Sequence, residues 1–201
     1  MNNCDLVFDE TNHIYRKDGI IKPSVTQIFQ EIGLVDYSAV PKEVLERASN
    51  FGTAVHRTTE LSDKNILDYS SVSNPIIPYL KAWQNFVDTY QIDNLAIEKQ
   101  FYCAKYDYCG TIDRIVYSKT LKRKVLIDIK TTASISPTVN LQTAGYAIGI
   151  EEPNITRMVV QLKENNYRAV VCDSATDTAY FLSALNIWKW KKLHKLIKKE
   201  Q

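Results

Sequence analysis

The chain has 201 residues, 45% apolar and 24% charged, with 25 basic against 23 acidic side chains and a formal charge of +2. Those proportions exclude disorder, collagen-like repeats and coiled coil, and they fit a single domain, 1–201, large enough to bury on the order of 70% of its unfolded surface. Near-neutrality alone argues against bulk electrostatic attachment to nucleic acid, but it hides a polarity: residues 1–118 carry 11 basic and 16 acidic side chains, residues 119–201 carry 14 and 7.

The first part of the domain, about 1–91, reads as a hairpin followed by helices. Leu6, Phe8 and Ile14 alternate with polar residues around a Glu10-Thr11-Asn12 turn. Ser24, three residues before Gln27, predicts a capped helix that stops at Gly33. Pro41 predicts a second helix to about Leu61 with a break near Asn50. Asn74-Pro75 predicts a third, whose Leu80, Trp83, Phe86, Val87 and Tyr90 form an apolar stripe. A core of about 92–173 follows, with period two: strands at Leu95–Cys103, Cys109–Tyr117 and Lys124–Lys130, a helix from Ser136-Pro137 to Gly149, then strands at Arg157–Leu162 and Tyr167–Cys172. A basic helix, about 174–201, ends the chain, with Asp173 as its expected cap. The order predicts an α/β fold with a mixed central β-sheet flanked by helices.

Cys4, Cys103, Cys109 and Cys172 match neither a disulfide scaffold nor paired zinc spacing, though a Cys103–Cys109 bridge across a turn is left open. No run approaches the roughly 18 apolar residues of a membrane span, and the opening lacks a signal peptide's basic flank and apolar stretch. The expectation is a cytoplasmic protein without a membrane partner.

Chemistry concentrates in Val125-Leu126-Ile127-Asp128-Ile129-Lys130. On a strand Asp128 and Lys130 share a face, so a carboxylate able to hold a divalent metal stands beside an ammonium able to orient a water or steady negative charge. Gly110-Thr111-Ile112-Asp113 places a second carboxylate on the preceding strand, where cross-strand neighbours lie about 5 Å apart. Two carboxylates so close repel unless a cation sits between them, and hard oxygen ligands select Mg²⁺ or Mn²⁺. Gln142 and Tyr146 are four apart on one helix face, Gly52-Thr53-Ala54-Val55-His56 brings an imidazole on another helix, and Glu98 shares a strand face with Gln100 and Tyr102. His13 and His194 lack such company and read as structural.

The ordered set Gly52-x-x-x-His56, Gly110-x-x-Asp113, Asp128-x-Lys130 and Gln142-x-x-x-Tyr146 resembles the RecB-type branch of the PD-(D/E)xK nucleases. Lys22-Pro23-Ser24-Val25-Thr26 resembles its stand-alone members, among them phage exonucleases and the mitochondrial genome maintenance exonuclease. The resemblance covers about residues 12–150 and implies a restriction-endonuclease-like core that cleaves DNA with one or two Mg²⁺ or Mn²⁺ ions. His56, Asp113, Asp128 and the Ile129 backbone carbonyl would be metal ligands, Lys130 the catalytic lysine, Gln142 and Tyr146 supports or DNA contacts, and Glu98 an acidic position seen before the Gly-x-x-Asp strand. Ile112 stands where the family name has proline. With only Cys172 in the C-terminal part, no iron–sulfur cluster is expected. No P-loop motif occurs, so no nucleotide cofactor is expected and any helicase would be a separate protein.

The leading expectation is a metal-dependent exonuclease on single strands or DNA ends, in replication, recombination, repair or phage DNA processing. A structure-specific or CRISPR-adaptation-type endonuclease and a catalytically silent DNA-binding module are the rivals. In the terminal Trp188-to-Lys199 stretch, Lys189, Lys191, Lys192 and Lys195 are candidate phosphate contacts, with Trp188 or Trp190 packing or stacking.

Overall fold

The alternation at the N-terminus folds as a hairpin: β1 (Leu6–Asp9) and β2 (Ile14–Lys17) pair antiparallel, with Phe8 opposite Tyr15. A third strand, β3 (Ile20–Lys22), returns through Asp18 and Gly19, both at positive φ, and completes a separate three-stranded sheet. The structure is a computed structural model that describes residues 6–197. Cys4, Lys198 and Lys199 lie outside the described residues.

Helix α1 (Val25–Glu31) starts where expected, with Ser24 Oγ accepting from the Gln27 N–H at 3.1 Å. The Gln27 side chain donates forward to Glu31 at 3.0 Å rather than accepting from the Ser24 N–H, so only half of the capping box forms. Helix α2 (Lys42–Asp63) runs unbroken through Asn50, contrary to the sequence expectation. Glycine at position 52 costs a helix about 1 kcal/mol against alanine, but a Cβ there would sit 3.3 Å from Thr131 Oγ1, so its absence lets α2 close on the end of the strand that carries Lys130. Helix α3 (Ile77–Tyr90) begins after Asn74-Pro75, with Pro78 in its first turn, and buries Leu80, Trp83 and Phe86.

Gln91, in the left-handed region, turns the chain straight into β4 (Ile92–Cys103). The strands β5 (Tyr108–Ser118) and β6 (Arg123–Lys130) meander antiparallel beside it. Helix α4 (Thr138–Gly149) crosses over to β7 (Thr156–Lys163), parallel to β6, and β8 (Asn166–Val171) pairs antiparallel with β7. Helix α5 (Asp177–Leu193) starts three residues later than expected and is not capped by Asp173. Its start is fixed by Asp177, buried against Arg157 at 2.9 Å.

The architecture is mixed α/β: a five-stranded mixed sheet, β4-β5-β6-β7-β8, with helices on both faces. Val25, Phe29, Phe101, Leu126, Phe181 and Leu185 join α1, α4 and α5 to one face. Val55, Trp83, Phe86, Ile127, Ile129 and Val160 join α2 and α3 to the other. Cys103, Cys109 and Cys172 are free and buried, so no Cys103–Cys109 bridge forms. Among the described residues no helix is long and apolar enough to cross a membrane.

Candidate active site

The site lies where the sheet forks. Strand β5 pairs with β4 along its length, but its ladder with β6 ends at Arg114 opposite Ile127. Beyond that point the edge of β5 is taken by the segment before α1, with the Cys109 N–H donating to Pro23 O at 2.8 Å. Strand alternation also breaks here. Ile112 and Ile115 are three apart yet pack in the same cluster, and Glu98, which stands opposite Asp113 between the pairs Ile97–Arg114 and Lys99–Ile112, has φ +49°. The break delivers both Asp113 and Arg114 toward α2.

His56 Nδ1 lies 3.5 Å from Asp113 Oδ1. One ligand atom each from His56, Glu98 and Asp113 fall within 4.8 Å of one another, the geometry of a group able to hold one metal ion. The other Asp113 oxygen accepts from the Ile129 N–H at 2.6 Å. Ile129 thus meets the site through its N–H, while its side chain is core. Asp128 and Lys130 project together as expected: Lys130 Nζ is 2.9 Å from Asp128 Oδ2. From α4, Gln142 Nε2 donates to Asp128 Oδ1 at 3.0 Å and to Tyr146 Oη at 2.7 Å, so the i, i+4 pair serves to hold Asp128. Gly110 makes room for this, since a Cβ there would lie 3.0 Å from the Tyr146 ring and 2.8 Å from Phe101.

The charges are arranged unequally. Burial opposes protonation of His56, but the Asp113 carboxylate outweighs it and raises the imidazole pKa. Burial pushes Asp113 upward, and His56, Lys130 and the Ile129 N–H together hold it below its ordinary value. Glu98 is pushed up to about 7 by burial and by the Asp113 charge. Burial likewise raises Asp128, with Asp113 adding to it, whereas Lys130, despite burial, is raised by Asp128 and Asp113 and stays an ammonium. Carboxyls crowded this way are relieved by a cation. The donor set fits one: His56, Glu98 and Asp113 each offer an atom to one point, and an imidazole with carboxylates suits Mn²⁺, or Mg²⁺ with more weight on the oxygens.

Arg114, which motif spacing alone did not single out, holds this arrangement from behind. Its fully buried guanidinium donates to Asp63 Oδ2 at 2.6 Å, Glu98 Oε1 at 3.0 Å, the Asp113 carbonyl at 2.6 Å and Thr59 Oγ1 at 3.2 Å. It also lies over the Trp83 ring, whose Nε1 donates to the second Asp63 oxygen at 2.9 Å. One side chain therefore ties α2 and α3 to the strands that bear Glu98 and Asp113.

His56, Glu98, Asp113, Asp128, Lys130, Gln142 and Tyr146 line one cleft of about 900 Å³. Strands β4 and β5 also contribute Gln100 and Thr111, and α2 also contributes Arg57 and Glu60. The N-terminal hairpin supplies the remaining wall through Phe8, Glu10, His13 and Tyr15, which sequence reasoning left outside the site. Tyr102, expected beside Glu98 and Gln100, bonds Asp107 instead. The terminal lysines do not line the cleft. Lys191 donates to the Glu31 carbonyl, Lys192 lies over the Trp188 ring, and Lys189 and Lys195 are exposed on or just beyond α5. Trp188 is buried with its Nε1 on Glu31, the packing alternative of the two expected, while Trp190 is exposed.

No family model matches the chain, and no curated protein matches it. Among solved structures, one described as the crystal structure of SSO0001 is similar at 14% identity with a TM-score of 0.38, covering 69% of this chain and 73% of that one.

Proposed function

We propose that the protein is a metal-dependent deoxyribonuclease of the PD-(D/E)xK type, acting on single-stranded DNA or DNA ends as an exonuclease. The observation that carries this reading is the convergence of His56, Glu98 and Asp113 within 4.8 Å in the cleft that also holds the Asp128–Lys130 pair. His56, Glu98 and Asp113 would hold the ion, with Asp128 beside them on Lys130 and Gln142. A bound Mg²⁺ or Mn²⁺ supplies Lewis acidity toward a phosphate and lowers the pKa of an attacking water.

The chain's own residues divide the remaining work. Lys130, kept charged by two carboxylates, serves as a donor that steadies negative charge on the scissile phosphate rather than as a base. Gln142 orients Asp128, and the Ile129 N–H fixes one oxygen of Asp113 so that the other faces His56. Arg57, which lines the cleft and donates to Glu60 at 2.8 Å, would meet a neighbouring phosphate by exchanging that partner. Glu98 joins the ligand group more directly than its place in the motif order suggested.

One observation favours internal cutting as the second reading. A further hollow of about 390 Å³, lined by Tyr37, Ser134 and Thr138, shares Thr26, Lys130 and Gln142 with the cleft, so a strand has room to continue past the site. Purified protein should degrade end-labelled linear single strands with Mn²⁺ or Mg²⁺, stop with EDTA and leave a covalently closed single-stranded circle intact. Rapid cutting of the circle would replace the exonuclease by an endonuclease. Metal-independent binding without cleavage of any substrate would favour the silent binding module.

A further inference from the structure

We infer that the N-terminal hairpin carries a nucleobase subsite: the Phe8 ring receives one unpaired base of the strand whose phosphate lies at the carboxylates, with His13 at its edge. This rests on the nuclease reading above and adds to it a residue that selects unpaired nucleotides.

Three rings gather on the hairpin wall of the cleft. Phe8 stacks on Tyr15 with centroids 4.4 Å apart and planes at 23°, and His13 meets Phe8 edge-on at 5.1 Å. Such a stack also serves a small sheet that has little core of its own, but two features go further. The stack is fastened to the strand that bears the ligand group: Tyr15, 1% exposed, shares a 2.7 Å hydrogen bond with Thr111, two residues before Asp113 on β5. Two residues of strand span about 7 Å, a reach that one nucleotide covers between phosphate and base. Phe8 itself is only partly buried and forms wall of the cleft, as does His13, which the turn holds at φ +52°.

The chemistry of this wall selects a base over a phosphate. The hairpin residues that line the cleft are Phe8, Glu10, His13 and Tyr15, with no Lys or Arg among them. The cations that line the cleft belong to other elements, Arg57 to α2 and Lys130 to β6. A backbone held by those cations can turn its bases toward the rings, and every base offers a π-face whatever its identity, so the subsite is tolerant of sequence. A base in a duplex has its faces occupied by its neighbours, and only an unpaired one is free to stack.

The test is binding of fluorescently labelled dT12 by the full chain with Ca²⁺ replacing Mg²⁺, cleavage being followed on gels, for wild type, Phe8→Leu and Phe8→Trp. Leucine keeps the apolar packing of the hairpin but removes the π-face; tryptophan keeps it. Stacking contributes about 1–3 kcal/mol per base, so Phe8→Leu is expected to weaken dT12 binding roughly 5-fold or more, and Phe8→Trp to restore it. Moving one abasic site along the oligomer should reveal a single position at which wild type loses the same factor and Phe8→Leu loses nothing further. Wild-type affinity in Phe8→Leu, or equal losses at every abasic position, would overturn the subsite while leaving the nuclease reading in place. Failure of the wild type to bind or cut single strands at all would instead overturn the nuclease reading.

Discussion

Replacing Arg114 by methionine is expected to destabilise the protein by about 3–5 kcal/mol, the range for removing one partner of a buried ion pair. Methionine fills much of the volume but leaves Asp63 without its guanidinium, the Asp113 carbonyl and Thr59 without a donor, and Glu98 without the group that anchors it. Urea unfolding followed by circular dichroism should show a large fall in midpoint with little change in slope. Arg114→Lys retains the charge but not the planar fork that reaches four acceptors on three elements, and should recover only part of the loss. A change below about 1 kcal/mol for methionine would mean that α2 and the sheet are held together by apolar packing alone.

Asp113→Asn should abolish metal binding while leaving the fold intact. Asparagine keeps the shape and can still accept from the Ile129 N–H, but it removes the charge beside His56. An ion present at about 100 times its Kd stabilises a protein by about 2.7 kcal/mol, which for a chain of this size corresponds to a rise in Tm of roughly 5–11 °C. Mn²⁺ is expected to produce such a rise in the wild type and none in Asp113→Asn, and DNA cleavage by the variant should fall by about 10²–10³-fold or more. An unchanged Mn²⁺-dependent shift in the variant would place the ion elsewhere.

Much of the fold was legible because the local signals agreed with the tertiary structure. The period-two runs became β4 to β8, the Ser24 cap opened α1, and the shared face of Asp128 and Lys130 followed from strand geometry alone. Misreadings came where a distant contact outweighed a local preference. A break was expected near Asn50, but α2 runs on intact, and Gly52 within it lets the helix lie close against Thr131. Asp173 looked like a cap, yet the start of α5 is set by Asp177 on Arg157, 20 residues upstream. Strand β3 had a signal that went unused: Asp18-Gly19, both residues at positive φ, is a two-residue hairpin turn of the kind that sequence can announce.

In the candidate site, motif order identified residues that do share a cleft, but not how they group. Glu98 joins His56 and Asp113 because φ +49° breaks the alternation of β4, and no periodic reading of that strand contains such a break. Asp128 instead pairs with Lys130 and Gln142. The hairpin wall of Phe8, His13 and Tyr15 was out of reach because nothing local says which face of a three-stranded sheet will close over β5. In the basic terminus, Trp188 and Lys191 are committed to Glu31 on α1, a contact that the charge pattern did not announce.

The most direct measurement compares wild type and Lys130→Ala on end-labelled single-stranded DNA with Mn²⁺, each purified identically. Wild type should cut in a manner stopped by EDTA, and Lys130→Ala should be slower by about 10²–10³-fold while keeping its Mn²⁺-dependent rise in Tm. Equal cleavage by the two proteins, or no cleavage by a wild type that binds Mn²⁺, would contradict the assignment of this cleft as a nuclease centre.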